Sequence, residues 1–161
     1  MNPMDDVLQL INNGEIIKPV LLLVDDQPAT RKLVKTSLKD AMSGFFKTID
    51  VTSVKGAIRS IEEQETSGYG ISFIILDYTL DDGHCLPILE HIRERGYSHI
   101  KVMLLTGNDD TTVLKRLLGY PNVVSAVIKP FTIDKLRREF ILHACASGDE
   151  NCTLVCRNCN I

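Results

Sequence analysis

The stretch Ile71-Ser72-Phe73-Ile74-Ile75-Leu76-Asp77-Tyr78-Thr79-Leu80 decides how this chain folds. Phe73 to Leu76 are consecutive apolar residues, three of them β-branched or aromatic, and they read as a strand buried on both faces, as in a parallel sheet covered by helices. Asp77 then stands at that strand's carboxyl end. In open α/β sheets ligands bind at the carboxyl ends of the strands, so Asp77 is a candidate for chemistry. It is equally a residue that could simply start a turn, and the rest of the chain has to decide between the two.

Working outward, Val20-Leu21-Leu22-Leu23-Val24 is a second apolar run ending in carboxylate, at Asp25-Asp26. Pro28 suits the first turn of a helix, where its missing N–H costs nothing. Leu33, Val34, Leu38 and Met42 follow at helical spacing, with Arg31, Lys32, Lys35 and Lys39 outward. Phe46 to Val54 offers a short strand, and Ala57, Ile58 and Ile61 mark a helix ending near Ser67-Gly68. After the central strand, Leu86, Ile88, Leu89 and Ile92 form a third helix closed by Gly96. Val102-Met103-Leu104-Leu105-Thr106-Gly107 is a fourth strand, and Val113, Leu114, Leu117 and Leu118 a fourth helix stopped by Gly119. Val123 to Ile128 is a fifth strand ending in Lys129-Pro130-Phe131. Thr132 can cap a last helix carrying Leu136, Phe140, Ile141 and Ala144. This β-α alternation predicts an α/β fold: a five-stranded parallel sheet, doubly wound as (βα)5, in a three-layer sandwich.

The 161 residues suit one globular domain with modest additions. A short helix over residues 4 to 13, stopped by Gly14, is expected to pack on the domain or a partner, being too short to persist alone. The net charge of -3 arises from 18 basic and 21 acidic residues without a polybasic block, which gives no electrostatic case for nucleic acid or an anionic membrane. No apolar run approaches the ~20 residues of a membrane span, and the N-terminus lacks the regions of a signal peptide. A cytoplasmic protein is expected. Four of the five cysteines, Cys145, Cys152, Cys156 and Cys159, lie in the last 17 residues. They lack the paired CxxC knuckles of a structural zinc site, so a tail of thiols is the simpler expectation.

In a parallel sheet, Asp25, Asp26, Asp77, Thr106 and Lys129 all reach the same edge. Three carboxylates in one pocket repel, since two unit charges at about 4 Å cost roughly 4 kcal/mol at a surface-like dielectric. A cation relieves this, and oxygen-only ligands near solvent favour Mg²⁺. Asp77 can then be a nucleophile toward a phosphoryl group. Mg²⁺ and the Lys129 ammonium can neutralise its oxygens, and the Thr106 hydroxyl can donate a hydrogen bond to it.

Val24-Asp25-Asp26, Leu76-Asp77-Tyr78-Thr79-Leu80, Leu104-Leu105-Thr106-Gly107 and Lys129-Pro130-Phe131 together resemble the signature of the response-regulator receiver domain of two-component signalling, over residues 18 to 146. The resemblance implies a flavodoxin-like fold. It further implies that Asp77 accepts a phosphoryl group from a histidine kinase or histidine phosphotransfer protein and that an effector protein, not yet identified, reads the result. The acceptor would not be an enzyme beyond catalysing its own phosphorylation and dephosphorylation. Asp26 matches the direct Mg²⁺ ligand, Asp25 an acid acting mainly through water, and the Thr79 backbone carbonyl a further ligand. Thr106 matches the switch hydroxyl and Lys129 the phosphate-binding lysine, with a cis bond to Pro130. Thr79 and Asn108 take the two variable positions that tune phosphate lifetime. Residues 1–17 would be an N-terminal extension and 147–161 a cysteine-rich tail, in either a stand-alone receiver, with a homodimer allowed, or a piece of a longer regulator.

Three positions depart from the family pattern. Asp81 stands where many receivers have proline, Cys85 where glycine is usual, and Ala126 where many carry an aromatic ring that turns inward on activation. Asp81 and Asp82 are expected to be solvated turn residues, and coupling from Thr106 to be led by the backbone. Tyr78 is expected to shield the rim of the pocket, and His84, His91, His99 and His143 to be surface or helix residues. Two other functions compete. One is an interaction module that ignores phosphate, disfavoured because every site residue is present. The other is a haloacid-dehalogenase-like phosphatase, which needs a second Asp two residues after the nucleophile, where Thr79 stands.

Overall fold

A computed structural model describes residues 9–10, 12–14, 18–42, 46–107 and 110–145. The strands are β1 (Val20–Val24), β2 (Lys47–Val51), β3 (Phe73–Asp77), β4 (Thr79–Leu80), β5 (Gly83–His84), β6 (Lys101–Thr106) and β7 (Val123–Ile128). The helices are α1 (Pro28–Met42), α2 (Val54–Thr66), α3 (Leu86–Glu94), α4 (Thr111–Leu118) and α5 (Ile133–Cys145). Five strands form one parallel sheet in the order β2-β1-β3-β6-β7. This is the doubly wound, flavodoxin-like α/β sandwich that the alternation predicts.

Continuous apolar strands make sense because each face has its own core. Leu22, Val24, Ile74, Leu76, Val102 and Leu104 point to one side, where they meet Ala57 and Ile61 of α2, Ile88, Leu89 and Ile92 of α3, and Leu117 of α4. The alternate residues Leu21, Leu23, Phe73, Ile75, Met103 and Leu105 point to the other, against Val34 and Leu38 of α1 and Leu136, Phe140 and Ala144 of α5. With side chains alternating at period two, both sets must be apolar, so no polar residue interrupts β1 or β3 before its end. The Phe73 and Phe140 rings meet edge to face, 4.7 Å between centroids.

Several expectations shift by a few residues. β2 stops at Val51, because Ser53 caps α2 with its hydroxyl accepting from Gly56 N–H at 3.0 Å, and Val54 belongs to the helix. Leu33 lies outside the apolar stripe of α1 and is partly exposed. Thr132 caps α5 as expected, its Oγ1 accepting from Lys135 N–H at 3.1 Å. β4 and β5 form a small antiparallel hairpin, with Asp81 and Asp82 at its turn. Of the expected N-terminal helix, Gln9, Leu10 and Asn12 are helical, Asn13 is in a turn and Gly14 follows at φ 75°, as a helix stop does; residues 4–8 and 11 lie outside the described residues. The tail cysteines Cys152, Cys156 and Cys159, and Asn108, also lie outside them.

Candidate functional site

The ladder of the sheet carries the predicted residues to one edge. Asp25 directly follows β1 and its N–H donates to Val51 O of β2 at 3.1 Å; Asp77 is the last residue of β3, opposite Leu105. Thr106 ends β6, and its carbonyl accepts from Lys129 N–H at 2.7 Å, which fixes the start of the loop after β7. The Lys129-Pro130 peptide bond is cis.

Lys129 joins the acids. Its Nζ donates to Asp25 Oδ2 at 3.2 Å and to Asp77 Oδ2 at 3.1 Å. Asp25 is fully buried, Asp77 is 6% exposed and Thr106 is 1% exposed. Asp25 Oδ1 accepts from Gln27 N–H at 2.7 Å, and its carbonyl accepts from Arg31 Nη1 at 2.6 Å, so both ends of this residue are held. Burial pushes the Asp77 carboxyl above its ordinary value; the Lys129 ammonium and the Thr79 N–H pull it back in part, while the Asp25 charge adds to the rise.

Carboxylate oxygens of Asp25, Asp26 and Asp77 lie within 4.8 Å of one another. Three carboxylates against one ammonium leave two negative charges unbalanced in a largely buried pocket, and the donors are all hard oxygen. That set fits a divalent cation of the Mg²⁺ kind. Thr79 opens β4, directly beside the cluster.

The residues around the acceptor hold two findings that the sequence reading missed. Asp82 is exposed, yet it is not merely a solvated turn residue: its Oδ1 accepts from Val54 N–H at 2.7 Å and its Oδ2 from Lys55 N–H at 3.2 Å, capping α2 from another part of the chain. Those donations hold its carboxyl below the usual range, the Val54 bond foremost. The neighbouring Asp26 carboxylate raises the carboxyl of Asp81, beside it, above the usual range. A cap from 28 residues away leaves no local signal in the sequence.

Cys85 is fully buried under the hairpin and its N–H donates to Tyr78 O at 2.9 Å. Burial pushes its thiol up to about 12. Tyr78 is half-buried and stacks on His84, centroids 6.0 Å apart and planes 10° apart, which makes it a wall beside the acceptor. His91 pairs with Glu62 at 2.8 Å, His99 with Glu65 at 2.9 Å, and His143 approaches Glu139 at 3.6 Å, so these three are held on helices or loops away from the acid cluster.

A parallel α/β sheet whose carboxyl edge gathers an acid pair, a central aspartate, a buried hydroxyl and a lysine defines the receiver class of signalling domain. The family described as the response regulator receiver domain matches residues 21–140, and the chain belongs to it: it is a receiver domain of the two-component response-regulator type. Solved structures agree on the fold. A DNA-binding response regulator of the LuxR family from Staphylococcus aureus is similar at 21% identity and TM-score 0.65, over 78% of this chain and 98% of that one. The CheX-CheY-BeF3-Mg complex from Borrelia burgdorferi gives 20% identity and TM-score 0.67, over 84% of this chain and 96% of that one. A two component response regulator from Cytophaga hutchinsonii gives 20% and 0.66, over 78% and 96%. Comparison with curated proteins returns no match. Among the described residues no helix is long and apolar enough to cross a membrane.

Proposed function

We propose that this receiver is a phosphoryl-accepting switch in which Asp77 takes a phosphoryl group from a phosphohistidine of a histidine kinase or phosphotransfer protein. An Asp77 carboxylate oxygen forms the new O–P bond as the P–N bond of the donor breaks, and the donor imidazole leaves with the electron pair and picks up a proton. The product is an acyl phosphate. The observation that carries this reading is the Lys129 ammonium bridging Asp25 and Asp77 inside a buried acid cluster, with Thr106 beside it at the same strand edge.

Asp25, Asp26, Asp77 and the Thr79 carbonyl are the groups that would hold Mg²⁺, which when bound supplies positive charge to the phosphoryl oxygens. Lys129 binds one of those oxygens and keeps the acceptor carboxylate ionised enough to attack. The Thr106 hydroxyl turns to the phosphoryl group once it has arrived. The added charge of about -1.5 to -2 then shifts a two-state surface that an effector protein, or a second copy of the chain, reads. Turnover stops at the acyl phosphate and its hydrolysis, so the chain acts as a consumed acceptor rather than an enzyme. A cytoplasmic setting suits a partner kinase domain.

Incubation with acetyl phosphate and Mg²⁺ followed by intact mass spectrometry tests this. One phosphoryl group is expected on the wild type and none on Asp77→Asn or in the presence of EDTA. Equal gain by Asp77→Asn, or no gain by the wild type, would sink the assignment, and steady hydrolysis of an added phosphomonoester would point to a phosphatase instead.

A further inference from the structure

β2 is the last strand on its side of the sheet, so one of its edges is open. In the parallel ladder with β1, Lys47 N–H donates to Pro19 O at 2.9 Å and Asp25 N–H donates to Val51 O at 3.1 Å, so Lys47, Ile49 and Val51 turn their main chain toward β1. By alternation Thr48 and Asp50 each turn an N–H and a C=O the other way, where among the described residues no strand follows. These groups are a template for pairing with another chain.

The same alternation points the Thr48 and Asp50 side chains to the α1 side of the sheet, where a groove of about 590 Å³ runs between α1 and this edge. Buried Leu23, Val34 and Leu38 give the groove an apolar floor, and half-buried Phe46 adds a ring. Arg31, Lys32, Lys35 and Lys39 of α1 also line it, four cations against the one carboxylate of Asp50. Two of them are engaged: Arg31 donates to the Asp25 carbonyl and lies 3.7 Å from Asp50 Oδ2, and Lys35 donates to that same oxygen. Lys32 and Lys39 are exposed and have no ion pair among the described residues.

A surplus of positive charge beside an open strand edge, on a chain whose net charge is -3, selects an acidic ligand. A second copy of this chain does not suit the edge, because pairing β2 with β2 brings two lysine rows together on one face of the joined sheet. Spacing sets the pattern of the ligand. Lys32 and Lys39 stand roughly 10.5 Å apart along the axis of α1. Residues four apart on an added strand share a face and lie ~13 Å apart, within the reach of two flexible lysine stems. An extended segment with an acid, an apolar residue two positions on and a second acid two beyond that matches both the lysines and the apolar floor between them.

We propose that the open edge of β2 and the groove beside it bind an extended acidic segment of a partner protein, which adds as a sixth strand. Its main chain pairs with Thr48 and Asp50, its carboxylates meet Lys32 and Lys39, and its central apolar side chain enters the groove. The surface is independent of the phosphoryl chemistry at Asp77.

The probe is a blocked peptide, Thr-Asp-Thr-Val-Thr-Glu-Thr, titrated into the ¹⁵N-labelled full chain and followed by amide chemical shifts. Saturable shifts centred on the Thr48 and Asp50 amides are expected, with slower hydrogen exchange of both in the complex. Replacing the two acids of the peptide by lysine is expected to abolish the shifts. The double variant Lys32→Gln with Lys39→Gln is expected to raise Kd about tenfold or more. Thr48→Pro removes an outward N–H, a substitution that an edge strand tolerates, and is expected to raise Kd about fivefold while the melting temperature stays near that of the wild type. No saturable shift with the wild type, or shifts centred away from β2, would overturn the proposal. So would Thr48→Pro, with its fold intact, binding within about twofold of wild type, since a bare electrostatic contact does not need that N–H. A single-stranded oligonucleotide that binds this edge more tightly than the peptide, and loses its affinity in the lysine variant, would overturn it in favour of a polyanion surface.

Discussion

Replacing Lys129 by methionine removes the one ammonium that separates two buried carboxylates while keeping most of the side chain's bulk. The Nζ lies 3.2 Å from Asp25 Oδ2 and 3.1 Å from Asp77 Oδ2. At an effective dielectric of about 20 each contact is an attraction of roughly 5 kcal/mol before solvation is counted. Desolvating the lysine cancels much of that, and its side chain keeps 22% exposure, so water softens the loss. Breaking a fully buried pair costs about 3–5 kcal/mol. With this exposure, and with Asp77 able to take up a proton, about 2–4 kcal/mol is expected. For a domain of this size that lowers the melting temperature by about 4–16 °C. The assay is thermal and urea unfolding at pH 7.5 in EDTA, on Lys129→Met, Asp77→Asn and the double variant. In the Asp77→Asn background the lysine replacement should cost at least about 1.5 kcal/mol less, because one of the two stranded charges is gone. Added Mg²⁺ should recover part of the loss in the single variant. A melting temperature within 2 °C of wild type in EDTA, taking about 2–4 °C per kcal/mol, or strict additivity in the cycle, would refute the view that Lys129 neutralises these acids.

Four further outcomes follow from the pattern of burial. Asp77 has its folded carboxyl raised by burial, so its contribution to stability is fully present below the unfolded value and is lost as pH rises through the folded one. Asp77→Asn should therefore be more stable than wild type at pH 7 in EDTA, with the gap narrowing toward pH 4 in urea titrations; a constant gap would contradict this. Cys85, buried and with its thiol near 12, should escape iodoacetamide at pH 8 in the folded chain and react only in denaturant, as read by peptide mass mapping. Leu76→Ala, at the centre of the sheet, should cost about 2–5 kcal/mol in urea unfolding. Leu142→Ala, at 61% exposure, should stay within about 0.5 kcal/mol.

The central strands were legible because burial on both faces leaves one kind of residue available from Val20 to Val24 and from Phe73 to Leu76. Their ends were legible for the complementary reason: the first charge after such a run must lie where the sheet meets water, and parallel topology puts every such end on one edge. Asp25, Asp77, Thr106 and Lys129 therefore converge in the structure as the topology required. The edge strand β2 was harder, since Val54 is apolar too and only the Ser53 cap reveals that the chain has already turned into a helix. Asp82 was not legible at all. Its partners lie 28 and 27 residues away, and an acid in a turn looks the same whether it faces solvent or caps a distant helix.

Ala126 bears on how such a site is read from outside. It sits on β7 opposite Leu104, two residues before Ile128, which pairs with Thr106. It is half-buried against the core on the α2, α3 and α4 side, and its methyl has no rotamer to change. The direct link from Thr106 to β7 is instead the 2.7 Å bond from Lys129 N–H to the Thr106 carbonyl. Lys129 also holds Asp77, so the acceptor, the hydroxyl-bearing strand and the loop into α5 meet in one residue. A charge placed on Asp77 pulls on the Lys129 side chain, and the backbone of that same residue is bonded to β6. Main chain thus joins the acid cluster to the end of β6 and to the turn into α5, through the two ends of Lys129.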